Sequence, residues 1–111
     1  MDEILKQSLL YDFYGELLTE HQKEIYEQFI VEDLSLSEIA KDAGISRQGV
    51  HDLIKRCDKS LAEYESRLHL VEKFSKTKEK LQALKEVLET VEDKAVSQKL
   101  ETLINEILEE L

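Results

Sequence analysis

The sequence predicts an all-α protein with a helix-turn-helix core, an extended fourth helix and a C-terminal helical hairpin. Three observations carry this. The chain has no proline and three glycines in 111 residues, so it lacks the breakers that usually end helices and mark sheet edges. Its apolar residues recur at steps of three and four, the period of an amphipathic helix. Between Ser35 and Ser46, two N-cap residues bracket a short helix and a glycine, which is the punctuation of a helix-turn-helix.

The first helix is expected from about Asp2 to Leu18, where Ile4, Leu5, Leu9, Leu10, Phe13, Tyr14, Leu17 and Leu18 form one broad stripe. Thr19 then has the character of an N-cap, with Gln22 completing a capping box. The second helix runs to about Val31, burying Ile25, Phe29 and Ile30 with Tyr26 at the margin, and Glu32-Asp33 form a short connection. Ser35 and Glu38 make a second capping box before Ile39-Ala40. Gly44 ends that third helix, because glycine enters the left-handed region at little cost. Ile45 and Val50 are expected to fill the small core between the two helices of the motif.

Ser46 caps the fourth helix, in which Val50, Leu53 or Ile54, Cys57, Leu61, Tyr64, Leu68 and Val71 hold the periodicity. From Ser46 to Val71 this is roughly 39 Å of helix, more than a groove-reading helix needs, so its distal half must pack on something else. The lysine-rich stretch Lys73 to Lys80 reads as a hinge. Beyond it one apolar stripe runs from Leu81 to Ala95 and another from Leu100 to Leu111, with a polar bend around Glu92 to Gln98. The expected organisation is a helix-turn-helix domain at 1–72 and a helical packing or oligomerisation segment at 73–111. The apolar stripes after Leu81, together with Leu61, Tyr64, Leu68 and Val71, point to a homo-oligomer, a dimer being the commonest closed solution. The competing arrangement buries the same residues within one chain.

Composition narrows the function. The hydrophobic share of 41% supports a core, and 36% charged residues give a strongly solvated exterior. The lone Cys57 cannot form an intramolecular disulfide. The acidic start and the lack of any long apolar run indicate a cytoplasmic protein without membrane insertion. No phosphate-binding glycine loop is present, and the three histidines lie on different segments without metal-ligand spacing, so no catalytic site, metal or cofactor is expected. The formal net charge of −10 argues against a nucleic-acid partner in bulk, but its distribution is uneven. Ser46 to Lys59 carries Arg47, Lys55, Arg56 and Lys59 against Asp52 and Asp58, whereas Glu86 to the C-terminus carries eight acids against Lys94 and Lys99. Exposed charges further apart than about 8 Å are largely screened at physiological salt, so the acidic segment does not cancel a local basic face.

A helical wheel centred on Val50 places Ile54 and Cys57 beside it and Gln48, Asp52, Lys55 and Lys59 opposite, with His51 and Arg56 at the flanks and Arg47 in the first turn. Gln and Arg at the start of a recognition helix suit base edges in the major groove. Lys55, Arg56 and Lys59 suit phosphates. The candidate nucleic-acid-binding residues are therefore Arg47, Gln48, His51, Lys55, Arg56 and Lys59. Asp52 either accepts from a cytosine amino group or repels the backbone. Gly49 permits close approach either to a partner or to the third helix.

Four separated segments carry a family resemblance: Tyr11 to Thr19, Ser35 to Ala40, Ile45 to Asp52, and Tyr64 to His69. Together they resemble the YlxM family of Firmicute proteins, and Thr19 to Lys59 is similar to region 4 of bacterial sigma factors, a promoter-binding helix-turn-helix. The chain departs from the family pattern at Gly49 and His51, where alanine and an aromatic are more usual. The resemblance implies a regulator of the signal recognition particle protein-targeting pathway. Its partner is then DNA, the particle's RNA or the targeting GTPase itself, three alternatives among which no residue chooses. Two further readings are a conventional DNA-binding transcription regulator and a protein–protein adaptor on the targeting GTPases.

Overall fold

The computed structural model describes residues 2–111 and divides the chain into two compact units, Met1–Val71 and Glu72–Leu111. Its regular elements are helical: α1 (Glu3–Tyr14), a short 3-10 turn (Gly15–Leu17), α2 (Glu20–Ile30), α3 (Leu36–Ala43), α4 (Arg47–Leu68), α5 (Leu70–Leu88) and α6 (Lys94–Glu110). Among the described residues there is no strand, and no helix is long and apolar enough to cross a membrane.

The helix starts are fixed by side chains. Thr19 Oγ1 accepts from Gln22 N while Gln22 Oε1 accepts from Thr19 N. Ser35 and Glu38 repeat the reciprocal pair, and Ser46 Oγ accepts from Gly49 N at 2.9 Å. Each cap satisfies amide donors that a helix start leaves without an intrahelical partner. Gly44 closes α3 with φ +70°, the left-handed geometry that frees the chain to turn into Ser46. All three caps and the glycine turn stand where the sequence pattern put them.

In the first unit α4 packs against α1, α2 and α3. Val50, Ile54, Cys57 and Leu61 form its buried stripe, and they share one core with Leu10, Tyr14, Leu18, Ile25, Tyr26, Ile39 and Ala40. Tyr26 is wholly buried, not marginal as its wheel position had indicated, because its hydroxyl finds a buried-side acceptor in Asp58. Ile45 is 38% exposed and leaves the space between the motif helices to Val50.

Two boundaries differ from the periodicity. α1 stops at Tyr14 and continues only as the 3-10 turn, leaving Leu17 exposed. A Cβ at Gly15 would stand 2.7 Å from the Tyr11 ring, so glycine there lets that ring lie against the backbone. More consequentially, the fourth helix ends at Leu68 and not near Val71. His69 takes φ +56° and its N–H bonds Glu65 O at 2.9 Å. The new start at Leu70 is held by tertiary partners: Tyr14 Oη accepts from Leu70 N at 3.1 Å, and Glu65 Oε1 accepts from Val71 N at 2.9 Å and from Tyr14 Oη at 2.5 Å. One tyrosine hydroxyl and one carboxylate thus supply what a local N-cap residue would otherwise provide.

The second unit contains most of α5 and all of α6. Lys73 to Lys80, expected as a hinge, lies inside α5; its lysines point to solvent, and Lys76 Nζ bonds Glu72 Oε1 at 2.8 Å. The connection runs from Glu89 to Asp93, and Lys94 to Gln98, assigned to a bend by composition, is already helical because Asp93 Oδ1 accepts from Ala95 N and Val96 N. Ser97 Oγ donates back to Leu88 O. Leu88 and Ile104 are buried, while Val96, Leu100, Leu103 and Ile107 remain 41–48% exposed.

Candidate nucleic-acid interface

Because Val50, Ile54, Cys57 and Leu61 point into the core, the opposite surface of α4 is committed to solvent. Gln48, Lys55, Arg56 and Lys59 are exposed on it, His51 is half-buried at its edge, and Arg47 is exposed in the first turn, about 60° from Val50 around the helix. The six residues singled out from sequence thus lie along the first three to four turns of one helix. His51 is the least free: its Nδ1 faces inward without a hydrogen-bond partner, 3.6 Å from Asp52 Oδ1.

The two acids within this stretch have different environments. Asp52 is exposed, and its Oδ1 accepts from Gln48 Nε2 at 2.9 Å, an i,i+4 pair along the helix surface. The Gln48 amide is therefore oriented by Asp52. Asp58 is turned inward. It accepts from Gln7 Nε2 at 3.0 and 3.2 Å, one bond to each oxygen, and from Tyr26 Oη at 2.5 Å. Gln7 is itself buried, the one buried polar or charged residue among the described residues. Burial, then the bond to Asp58, pushes the Tyr26 hydroxyl well above its usual range, so it stays protonated and remains the donor. Between Arg47 and Lys59 this leaves Asp52 as the exposed acid against four exposed cations.

Charge counting along the sequence places Asp58 among the surface charges and gives no sign of Gln7 and Tyr26 as its partners. A signal existed: Asp58 stands about 80° from Val50 on the wheel, on the core side, and a tyrosine in a buried stripe needs a partner for its hydroxyl. Gly49 also resolves. A Cβ there would stand 3.1 Å from Ser46 Oγ, and the next neighbour is Ile45 rather than α3. The small residue keeps clear the oxygen that caps the helix.

The other perturbed tyrosines and the thiol belong to the scaffold. Burial raises Tyr14, followed by its bond to Glu65, and raises Tyr11, followed by its bond to Glu27. Burial also pushes the Cys57 thiol up to about 11. Among the described residues no group of three or more His, Cys, Asp or Glu is placed to hold a metal ion.

Residues 1–107 match a family model described as "Putative helix-turn-helix protein, YlxM / p13 like". The chain belongs to the UPF0122 family. Its similarity to individual UPF0122 proteins extends through both units. A UPF0122 protein of Thermoanaerobacter sp. (strain X514) is 40% identical over 110 residues, covering 99% of this chain and 94% of the relative. One from Halalkalibacterium halodurans is 42% identical over 107 residues, covering 96% and 95%. One from Caldanaerobacter subterraneus is 47% identical over 87 residues, covering 78% and 74%. UPF0122 membership therefore covers α5 and α6 as well as the helix-turn-helix.

Proposed function

We propose that this UPF0122 protein is a non-enzymatic regulator that binds nucleic acid through the first half of α4 and acts in signal recognition particle-dependent protein targeting. The observation that carries the binding reading is the division of charge on α4. Arg47, Lys55, Arg56 and Lys59 face solvent, Lys55 and Lys59 on the side away from the core, while Asp58, one of the two acids among them, is held inward by Gln7 and Tyr26. Arg47 and Gln48 lie at the helix start, where major-groove readers place their base contacts, and Lys55, Arg56 and Lys59 follow at phosphate positions. The non-enzymatic reading rests on the perturbed tyrosines and thiol, whose shifts arise from core burial rather than from a cleft that could admit substrate. The targeting role rests on the resemblance to the YlxM family.

A second reading, an adaptor on the targeting GTPases, is favoured by two observations. Asp52 occupies the middle of the basic face and holds Gln48, and the chain's net charge is −10. Affinity capture with the tagged full chain, with and without nuclease, separates the two. Loss of the captured partner after nuclease treatment supports nucleic-acid binding. A targeting GTPase retained after nuclease treatment, with no nucleic acid bound at low salt, supports the adaptor and ends the nucleic-acid reading.

A further inference from the structure

The exposed face of α6 carries a regularly spaced apolar stripe. Val96, Leu100, Leu103 and Ile107 are 48%, 41%, 47% and 44% exposed, although they occupy positions a core would use. Their spacing of four, three and four is that of the a and d positions of a coiled coil: Val96 and Leu103 at d, Leu100 and Ile107 at a. Ser97, Ile104 and Leu108 lie on the adjoining face and are buried or half-buried, so α6 has one apolar side covered and a second one open.

We propose that this open seam pairs with α6 of a second copy of the chain, with the two helices antiparallel. A four-three-four spacing reads the same in both directions, so an antiparallel two-fold pairing sets Val96 against the partner's Ile107 and Leu100 against the partner's Leu103. The charges select that orientation. Lys99 and Glu106 both fall at g, immediately beside the seam, and both are exposed. Neither has an oppositely charged residue three or four positions away in its own helix, the spacing at which helix charges usually pair. In an antiparallel pair g faces g, which brings Lys99 to the partner's Glu106 and repeats the contact by symmetry. A parallel pair would set g against e, placing Lys99 at the partner's Ile104 and Glu106 at the partner's Leu111, and no ion pair would form. The seam is therefore an isologous interface whose charged edge specifies direction.

Charge reversal on the full chain tests this without touching the core. Sedimentation equilibrium at micromolar concentration should show a dimer. K99E and E106K should each weaken it, since each turns two attractive contacts into repulsive ones, a change of about tenfold in dissociation constant. The K99E/E106K double variant should recover the wild-type constant. Direction is read by disulfide trapping against a wild-type control that carries only the buried Cys57. In the antiparallel dimer the two Val96 positions are about 16 Å apart along the axis, beyond the reach of a disulfide, so V96C should stay uncrosslinked while V96C/I107C gives a covalent dimer. A wild-type monomer, a higher oligomer, a double variant no tighter than the single ones, or efficient crosslinking of V96C alone would each overturn the proposal.

Discussion

Replacing Asp58 separates its part in the fold from its charge on the interaction helix. Asp58→Ala removes the acceptor for Tyr26 Oη at 2.5 Å and for Gln7 Nε2 at 3.0 and 3.2 Å. Tyr26 is 0% and Gln7 7% exposed, so water replaces the lost acceptor poorly. A buried donor without a partner costs about 1–3 kcal/mol. Taking about 2 for the enclosed tyrosine hydroxyl and about 1 for the glutamine, whose amide can swing towards solvent, gives a loss of about 3 kcal/mol. Asp58→Asn keeps a carbonyl oxygen for Tyr26, and Gln7 can present its own oxygen to the new amide, so the loss falls to about 1 kcal/mol. Urea unfolding followed by far-ultraviolet circular dichroism measures both. If Asp58→Ala lies within about 0.5 kcal/mol of wild type, the inferred network contributes little and the reasoning fails; a loss of about 3 kcal/mol for Asp58→Asn would show that the charge, not the hydrogen bonding, holds the site.

Gly44→Ala forces a side chain into the left-handed region at φ +70° and should lower unfolding free energy by about 1–2 kcal/mol, since no neighbour within 4 Å adds a clash; denaturant titration showing no loss would contradict the turn geometry. Alkaline pH should also destabilise the chain. Tyr14 and Tyr26 are raised above 10.0 and Cys57 above 9.0 in the folded state, so the unfolded chain releases these protons first. Their contribution is complete below about pH 9 and is lost as pH rises through the unfolded and then the folded values. Denaturation midpoints measured from neutral to alkaline pH should fall above that point, and a midpoint that stays level or rises would refute the burial of these groups.

The parts of the fold that read directly from sequence are those whose cause is local. Thr19, Ser35 and Ser46 cap helices through bonds to residues three positions away, and Gly44 turns the chain by its own conformation, so each leaves a signature within a few residues. The α4 buried stripe reads for the same reason. What the sequence hid is non-local. The break at His69 interrupts an apolar period that runs on undisturbed, and it is held by Tyr14, 56 residues from the Leu70 amide that it caps. The inward turn of Asp58 depends on Gln7, 51 residues away. The basic face was legible as a list of cations, because solvent exposure follows from helical phase, but its true balance depended on knowing which acid was withdrawn. Lys73 to Lys80 misled for the opposite reason: lysines cluster on an exposed helix surface as readily as in a hinge, and composition alone does not separate the two.

The central claim is that α4 meets nucleic acid through a small set of phosphate contacts, and salt dependence tests it most directly. Fluorescence anisotropy with a labelled duplex, repeated across salt concentrations, gives the slope of log affinity against log salt. Three phosphates engaged by Lys55, Arg56 and Lys59 predict a slope of about −2.7 on DNA, at about −0.9 per phosphate, and Lys55→Ala/Arg56→Ala should flatten it to about −0.9. Because both side chains are exposed on α4, the double variant should keep the wild-type helical spectrum. A slope unchanged by the double substitution, or no binding at low salt by the folded wild-type protein, would contradict the account.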